Sequence, residues 1–447
     1  MKLIYGVDDK PKFSQILVFA FQQLLAILAA TIAVPAIIGN GMSQSAALFG
    51  AGVGTLVYQL FTKFKSPVFL GSSFAFIGSM FAAFAGAASL QAGYTGLIIG
   101  AIFAGLVYVI IAIIVKFAGV NWIAKLMPAA VIGPTVAIIG LSLAGNAVGD
   151  VLKFAEFDAA NSVYVMGTKG WLGFICGMIT ILVVVISSSY GKKMLKLIPF
   201  IIGILAGYVV AAIFTVIGLN TGNADLQIID FSLFQNMQWY PDFTFLKAAA
   251  GLKEIDGQYI ATVAVAYIPV AFVVFAEHIA DHKNLSSIIE KDLLEEPGLH
   301  RTLLGDGIGS VVGAIFGGCP NTTYGESVGC VAITKNASIV TILTTAIVAI
   351  IASFVAPFVT FLATIPSCVM GGVCITLYGF IAVSGLKMLQ PVNLSVNKNL
   401  FVVSVILITG IGGMALQIGA VKITTIACAL ILGIITNLIL SKASDEE

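Results

Sequence analysis

Long apolar runs, separated by short polar stretches, fill most of the chain. The hydrocarbon core of a bilayer is crossed by a helix of about 20 apolar residues. Runs of about this length, bounded by charges and by Gly, Pro or Asn, predict fourteen membrane spans. The predicted spans are 14–38, 44–62, 67–85, 95–115, 121–146, 170–189, 197–219, 259–280, 301–317, 320–334, 338–362, 365–386, 399–418 and 422–440.

The third and tenth spans differ from the others. Residues 67–85 and 320–334 are short or are interrupted by Gly, Ser, Thr, Asn and Pro, which disfavour a continuous helix. A broken helix presents backbone N–H groups and the positive end of its dipole to a ligand. We therefore expect ligand chemistry near Phe74 and Tyr324.

Composition agrees with a polytopic membrane protein. Hydrophobic residues make up 59% of the chain and charged residues 10%, against roughly a quarter charged in soluble domains, and the mean hydropathy is +1.07. The 22 Lys and Arg nearly balance the 21 Asp and Glu, so no basic excess suggests a nucleic acid partner. The lipid bilayer is the expected environment.

The basic residues predict the orientation of the spans. With the N-terminal tail retained in the cytoplasm, 17 of the 22 Lys and Arg fall in cytoplasmic segments, as the positive-inside rule favours. Both termini are then cytoplasmic. The basic residues that fall outside are Lys153, Lys169, Lys247, Lys253 and Lys422.

The two halves of the chain are weakly similar. Three short segments match in the same order: FQQ at 21–23 with AEH at 276–278, GSSF at 71–74 with NTTY at 321–324, and PAAVIG at 128–133 with PSCVMG at 366–371. Each half has seven predicted spans, so the second half enters the membrane from the opposite side. The sequence therefore predicts one transporter unit over 1–447, with inverted repeats at 14–219 and 259–440.

Four acidic residues lie at membrane depth: Glu277, Asp281, Asp306 and Glu326. Such a charge costs at least about 2.5 to 3.5 kcal/mol, so these residues mark pathways or pairings. Glu277 and Asp281 share one helix face because they are four residues apart. Glu326 fits the first turn of a helix, where the dipole stabilises a carboxylate. We expect Glu277 and Glu326 to converge on one ligand.

The histidines beside these acids have weaker signals. His278 and His282 have helical spacing, but a third metal ligand is missing except for His300 in a charged loop, so zinc is not predicted. His282 is expected to be solvated at the cytoplasmic end. Asp306 fits two interpretations equally: a proton carrier, or a hydrogen-bonding residue between packed helices.

Two carboxylates and exposed backbone N–H groups suit a planar heterocycle. Its N–H groups donate to the carboxylates, its carbonyls accept from the backbone, and its ring lies on Phe74 or Tyr324. A simple inorganic anion fits poorly. A carboxyl group at membrane depth can also take up a proton on one side and release it on the other.

Six short motifs occur along the chain: LGSSFAFI at 70–77, EHIAD at 277–281, KDLL at 291–294, EPGLHR at 296–301, PNTTYGE at 320–326 and GCVAITK at 329–335. Together they resemble the nucleobase/ascorbate transporter family, also called nucleobase:cation symporter 2, and within it the bacterial uracil permease branch. The resemblance covers nearly the whole chain, and the PNTTYGE run is specific.

The resemblance implies an all-α membrane fold with short antiparallel strands in segments three and ten, and homodimers. Segments 1–4 and 8–11 would form a core domain, and segments 5–7 and 12–14 a gate domain. Some members carry His four residues after the span-eight Glu, where this chain has Asp281. The implied substrate-binding residues are Glu277, Glu326, Phe74, Tyr324 and Gly325, and the proton-coupling candidates are Asp281, Glu277 and His278.

The sequence thus predicts a proton-coupled symporter that imports uracil by alternating access across the bacterial cytoplasmic membrane. The coupling ion is H⁺, and no other cofactor is expected. The alternatives are a xanthine or purine permease of the same family, and an anion exchanger or channel on the same fold. No enzyme is predicted, since the sequence has no nucleophile-base pair, phosphate loop or metal-ligand set.

Overall fold

Helices dominate the computed structural model, which describes residues 3–119, 121–192, 194–418 and 421–442. Both chain ends, predicted to be cytoplasmic, therefore lie outside the described residues. The first helices are α1 Phe13–Ile38, α2 Gln44–Phe61, α3 Ile77–Ala85, α4 Leu90–Ala118, α5 Asn121–Leu126, α6 Ala129–Ser142, α7 Ala144–Val151, α8 Thr168–Tyr190, α9 Met194–Leu197 and α10 Pro199–Thr221.

The remaining helices and the short strands complete the secondary structure. The helices are α11 Thr244–Gly251, α12 Gly257–Ile289, α13 Leu299–Gly317, α14 Gly325–Thr334, α15 Ile339–Ala352, α16 Ala356–Ala363, α17 Ser367–Met388, α18 Asn397–Ile411 and α19 Thr425–Ile439. The strands are β1 Leu70–Ser72, β2 Glu156–Asp158, β3 Val163–Val165, β4 Asn321–Thr323, β5 Leu416–Ile418 and β6 Val421–Ile423.

Fewer helices than fourteen have the length and apolar character of a membrane span. Among the described residues, seven qualify: α1, α4, α6 with α7, α8, α10, α12 and α17. The pair α15 and α16, bent by 81°, makes an eighth. Helices α18 and α19 have 15 residues each, which extends only about 22 Å. The fold is a polytopic helical one, and the count of fourteen is not confirmed.

The third and tenth predicted spans each consist of a strand followed by a short helix. In the third, β1 leads through a 3₁₀ turn at Phe74–Phe76 into α3, and in the tenth, β4 leads into α14. The two strands pair antiparallel, with Gly71 opposite Thr322. Gly71 leaves room for the Tyr324 ring, since a Cβ at this position would collide with it. The strand pair thus joins the two halves of the chain.

Glycines allow the helices around the strand pair to approach closely. Helix α13 packs against α2 and α4, and α12 packs against α4. A Cβ added to Gly54 of α2 would lie 2.8 Å from the carbonyl oxygen of Gly309 of α13. A second group of helices packs around α17, which contacts α6, α7 and α8. Small residues at such contacts let backbones pack tightly in a membrane.

The predicted thirteenth span, 399–418, is wrong at its end. Helix α18 stops at Ile411, and Gly413 then adopts a positive φ of 71°, which a continuing helix does not allow. The apolar residues beyond it form the hairpin β5–β6, in which Leu416 pairs with Ile423. Hydrophobicity extended the predicted helix into these strands because it does not distinguish the two structures.

Candidate binding site at the broken helices

A cavity of about 360 Å³ lies where the strand pair meets α12. Six of the residues singled out from the sequence line it: Phe74, Glu277, Asp281, Tyr324, Gly325 and Glu326. His278 is not among its lining residues. The structure therefore brings together side chains and backbone from both halves of the chain.

Helix α12 supplies two carboxyl groups to the cavity. Asp256 caps its start by accepting a hydrogen bond of 2.7 Å from the Tyr259 amide. Glu277 and Asp281 are one turn apart and face the cavity together. The Thr323 hydroxyl of β4 donates a 3.0 Å hydrogen bond to Asp281 Oδ2. This contact ties α12 to the strand pair.

Tyr324 connects the two strands with its backbone and its side chain. Its amide donates to the Phe69 carbonyl at 3.2 Å, and its hydroxyl donates to the Ser72 carbonyl at 2.8 Å. Tyr324 is 4% exposed, and its ring packs over Gly71. The Tyr324 ring is therefore held against the other broken segment, and Phe74, Phe200 and Phe380 are the other aromatic side chains that line the cavity.

Glu326 lies in the first turn of α14, beside the strand pair. Amides in a first helical turn have no carbonyl partner within the helix, so this region is favourable for negative charge. The opposite wall of the cavity is apolar. Its residues come from α6, the start of α10 and α17, and they are Val136, Ile139, Phe200, Leu377, Phe380, Ile381 and Met388, with Ser384 as a polar exception.

The cavity is acidic. Glu277, Asp281 and Glu326 line it, and no Lys or Arg is found among the described residues that line it. Such a site suits hydrogen-bond donors or cations and opposes an inorganic anion, which would meet like charge without compensation. The described residues also contain no group of three His, Cys, Asp or Glu side chains placed to hold a metal ion.

A buried polar network lies behind the cavity. His278 Nδ1 is 2.8 Å from Asp306 Oδ2, and its Nε2 is 3.0 Å from the Thr302 hydroxyl. His278 and Asp306 are at most 1% exposed. Asp306 therefore hydrogen-bonds between packed helices, as one of its two interpretations expected. Neither residue lines the cavity.

The expectation that His282 is solvated is wrong. His282 is 1% exposed, and its ring nitrogens lie 2.7 Å from the Tyr58 hydroxyl and 2.8 Å from the His278 carbonyl. The predicted span ended at residue 280, whereas α12 continues to Ile289. His282 is therefore inside the packed part of the helix.

Sequence reasoning missed the apolar wall opposite the carboxylates. In the sequence Phe200, Phe380 and Met388 look like lipid-facing residues, because an apolar side chain can face either the lipid or the apolar wall of a cavity. The one available signal was the repeated Pro and Gly of residues 128–133 and 366–371, which precede the lining residues of α6 and α17. That repeat marks corresponding elements but does not reveal which face lines a cavity.

Known proteins match this chain over nearly its whole length. A family described as a permease family matches residues 14–419. The uracil permease of Bacillus caldolyticus is 37% identical over 98% of this chain and 95% of its own length. The uracil permease of Bacillus subtilis (strain 168) is 36% identical over 100% of this chain and 97% of its own length. The uracil permease of Escherichia coli (strain K12) is 35% identical over 97% of this chain and 93% of its own length.

Solved structures show the same fold at low sequence identity. The transmembrane domain of the cyanobacterial bicarbonate transporter BicA superposes with a TM-score of 0.66 at 17% identity, covering 97% of this chain and 100% of that domain. The murine anion transporter Slc26a9, in its inward-facing state, gives a TM-score of 0.67 at 12% identity, covering 97% and 69%.

Proposed function

Because the chain belongs to the nucleobase/ascorbate transporter family, we propose that it transports uracil across the membrane and uses H⁺ as the coupling ion. The family and the uracil permease relatives support a nucleobase transporter rather than an enzyme. The choice of uracil, the coupling ion and the mechanism are our proposal.

One observation carries the proposal: Glu277 and Glu326, from different segments of the second half, line one cavity with Phe74 and the strand pair. Uracil is a planar ring with N–H donors and carbonyl acceptors. Its N–H groups can donate to the two carboxylates, and its carbonyls can accept from backbone amides near Phe74, Tyr324 and Gly325. A cavity of about 360 Å³ is in the size range of small-molecule sites.

We assign proton coupling first to Asp281, with Glu277 and His278 as the other candidates. Asp281 lines the cavity and accepts a hydrogen bond from Thr323 of β4. Protonation of Asp281 would therefore change a bond to the strand pair. His278 bonds to Asp306 and Thr302 instead and does not line the cavity. One proton moving down about 100 mV provides about 2.3 kcal/mol, roughly a fifty-fold accumulation of substrate.

The proposed architecture counts the short and broken segments as spans, giving fourteen in two inverted repeats at 14–219 and 259–440. Segments 1–4 and 8–11 form the core domain, and segments 5–7 and 12–14 form the gate domain. We further propose a homodimer in the bacterial cytoplasmic membrane with both termini in the cytoplasm. In this arrangement the cavity lies between core and gate.

Two features support alternating access. The cavity extends toward the end of the molecule where Phe200 lies in the first turn of α10 and α17 ends at Met388. Toward the other end, β6 packs on α12, and Gln417 of β5 lies near Thr262, about 22 Å along α12 from Glu277. We therefore place the opening of the site at the end of Phe200 and Met388, and movement of the core against the gate would open the other.

The test is uptake of labelled uracil into liposomes that contain the protein, with and without an inward proton gradient. We expect gradient-driven uptake that unlabelled uracil blocks and xanthine does not. Glu326→Gln should abolish it, because the neutral amide no longer accepts a charge-assisted hydrogen bond. Glu295→Gln, an exposed carboxyl outside the cavity, is the matched control.

Other outcomes separate the alternatives. Inhibition by xanthine rather than uracil would favour a purine permease. Uptake that survives Glu326→Gln unchanged would contradict the paired-carboxylate site, and anion exchange without uracil transport would favour the anion carrier.

A further inference from the structure

The side chain of Ser327 connects three elements directly behind Glu326. Its hydroxyl accepts a 2.9 Å hydrogen bond from the Phe69 amide, just before β1. The Gln23 amide nitrogen of α1 donates to the same hydroxyl, and it also lies 3.4 Å from the Ser327 carbonyl. Ser327 is fully buried and Gln23 is 3% exposed. This bridge is separate from the residues that line the cavity.

The bridge controls the direction of the first turn of α14. Consecutive residues on a helix point about 100° apart. Glu326 faces the cavity, so Ser327 faces inward toward α1. Helix α1 packs against both β1 and α14, which places Gln23 where it can hold the two together.

Phe69 completes the connection. Its amide donates to Ser327, and its carbonyl accepts from the Tyr324 amide at 3.2 Å. The residues on either side of Gly325 and Glu326 are therefore both bonded to the same residue of the other broken segment. A rotation of the α14 start would break these bonds together.

Loss of one partner leaves buried groups unsatisfied. A hydroxyl oxygen has two lone pairs, and the Phe69 amide and the Gln23 amide donate to it here. Without the hydroxyl the buried Phe69 amide loses this acceptor, and the Gln23 amide keeps only the Ser327 carbonyl at 3.4 Å, which favours a shift of the backbone that restores better partners. That shift would move the Glu326 carboxylate away from the ligand.

We propose that Gln23 and Ser327 are positioning residues that hold Glu326 in its binding geometry and thereby set the affinity for the nucleobase. The inference rests on the proposed function, since Glu326 is taken there as a substrate-binding residue. It adds a role for α1 in the site.

The test measures the KM and maximal rate of uracil uptake for Gln23→Met, Ser327→Ala and the double variant. Met keeps the length and unbranched shape of Gln without its donor. Each single variant should raise KM about 3- to 10-fold, with the maximal rate per protein molecule little changed. The double variant should lose no more than Ser327→Ala alone, because Ser327→Ala already removes both bonds to the hydroxyl.

Gln22→Met is the matched control, since Gln22 precedes Gln23 on the same helix, and among the described residues the bonds from α1 to Ser327 come from Gln23. Its KM should stay within 2-fold of wild type. Equal thermal stability of all variants in detergent would exclude a general folding defect.

The inference is overturned if Gln23→Met and Ser327→Ala keep the wild-type KM, lower only the maximal rate, or have additive effects. Wild-type protein and Glu326→Gln are measured alongside them. No uracil uptake by wild type, or unchanged uptake by Glu326→Gln, would instead refute the proposed function or its site.

Discussion

At the residue scale, the three carboxyl groups of the cavity have different surroundings. Asp281 already accepts a hydrogen bond from Thr323, whereas Glu277 and Glu326 face the space that a ligand would occupy. A change in the charge of Asp281 would alter its bond to the strand pair, whereas Glu277 and Glu326 are placed to bind the ligand directly. We therefore expect the effects of their substitution to differ.

Asp281→Asn should uncouple transport from the proton gradient. The amide oxygen can still accept from Thr323, so the local structure is kept while the proton site is lost. We expect exchange of labelled for unlabelled uracil to persist within a few-fold and gradient-driven accumulation to disappear. Proteoliposome counterflow and gradient uptake measure the two. Accumulation that persists would move the coupling role to Glu277 or His278.

Glu277→Gln should weaken uracil binding about 10- to 100-fold. A hydrogen bond to a charged group is worth about 1.5 to 3 kcal/mol, and the amide oxygen replaces it with a weaker one. Equilibrium binding of labelled uracil to detergent-solubilised protein measures the change. Glu290→Gln, at the exposed end of α12, is a control that should bind as wild type. An unchanged Kd for Glu277→Gln would contradict its place in the binding site.

At the element scale, the two broken segments depend on close approach between backbone and ring. Tyr324 packs over Gly71, and its hydroxyl reaches the Ser72 carbonyl. The sequence indicated the breaks, because small and polar residues interrupt otherwise apolar spans. It did not indicate that a tyrosine ring fills the space at a glycine of the other segment.

Gly71→Ala should therefore disrupt the site. The new Cβ collides with the Tyr324 ring, and overpacking of this kind costs about 1 to 3 kcal/mol. We expect weaker uracil binding and a lower melting temperature. Gly78→Ala is the matched control in the same segment, since the nearest atom to its Cβ would be 4.0 Å away. Equal effects of the two substitutions would contradict the packing argument.

At the scale of the whole molecule, Phe200 and Met388 line the cavity toward one end, and the hairpin β5–β6 packs on α12 toward the other. Gln417 of the hairpin and Ala85 at the end of α3 line one polar cavity of about 330 Å³ there. In the proposed architecture the hairpin belongs to the gate and α3 to the core. Access from that end then requires the two to separate.

A reducible crosslink between Gln417→Cys and Ala85→Cys should stop transport while leaving binding intact. The cavity keeps its opening at the other end, so uracil still reaches Glu277 and Glu326. We expect uptake to vanish on crosslinking and to return on reduction, with the Kd in detergent unchanged. Single-cysteine variants are the controls. Normal uptake by the crosslinked protein would show that the hairpin does not need to move.

The sequence by itself determined the membrane class, the position of the two broken segments and the acids at membrane depth. These follow from local properties, because span length, helix-breaking residues and the cost of buried charge can be read along the chain. The spacing of Glu277 and Asp281 also fixed their common face. The family resemblance, carried by the same residues, agreed with the comparisons.

Only the tertiary structure decided which of these groups meet. Asp281 faces the cavity, whereas His278, three residues earlier on α12, bonds to Asp306. This difference depends on how α12 packs against α13 and β4. The apolar wall from α6, α10 and α17 and the hairpin after Ile411 were likewise invisible, because hydrophobicity does not distinguish lipid, cavity or strand. Periodicity assigns residues to faces of one helix, but contacts between distant segments depend on the packing of the whole molecule.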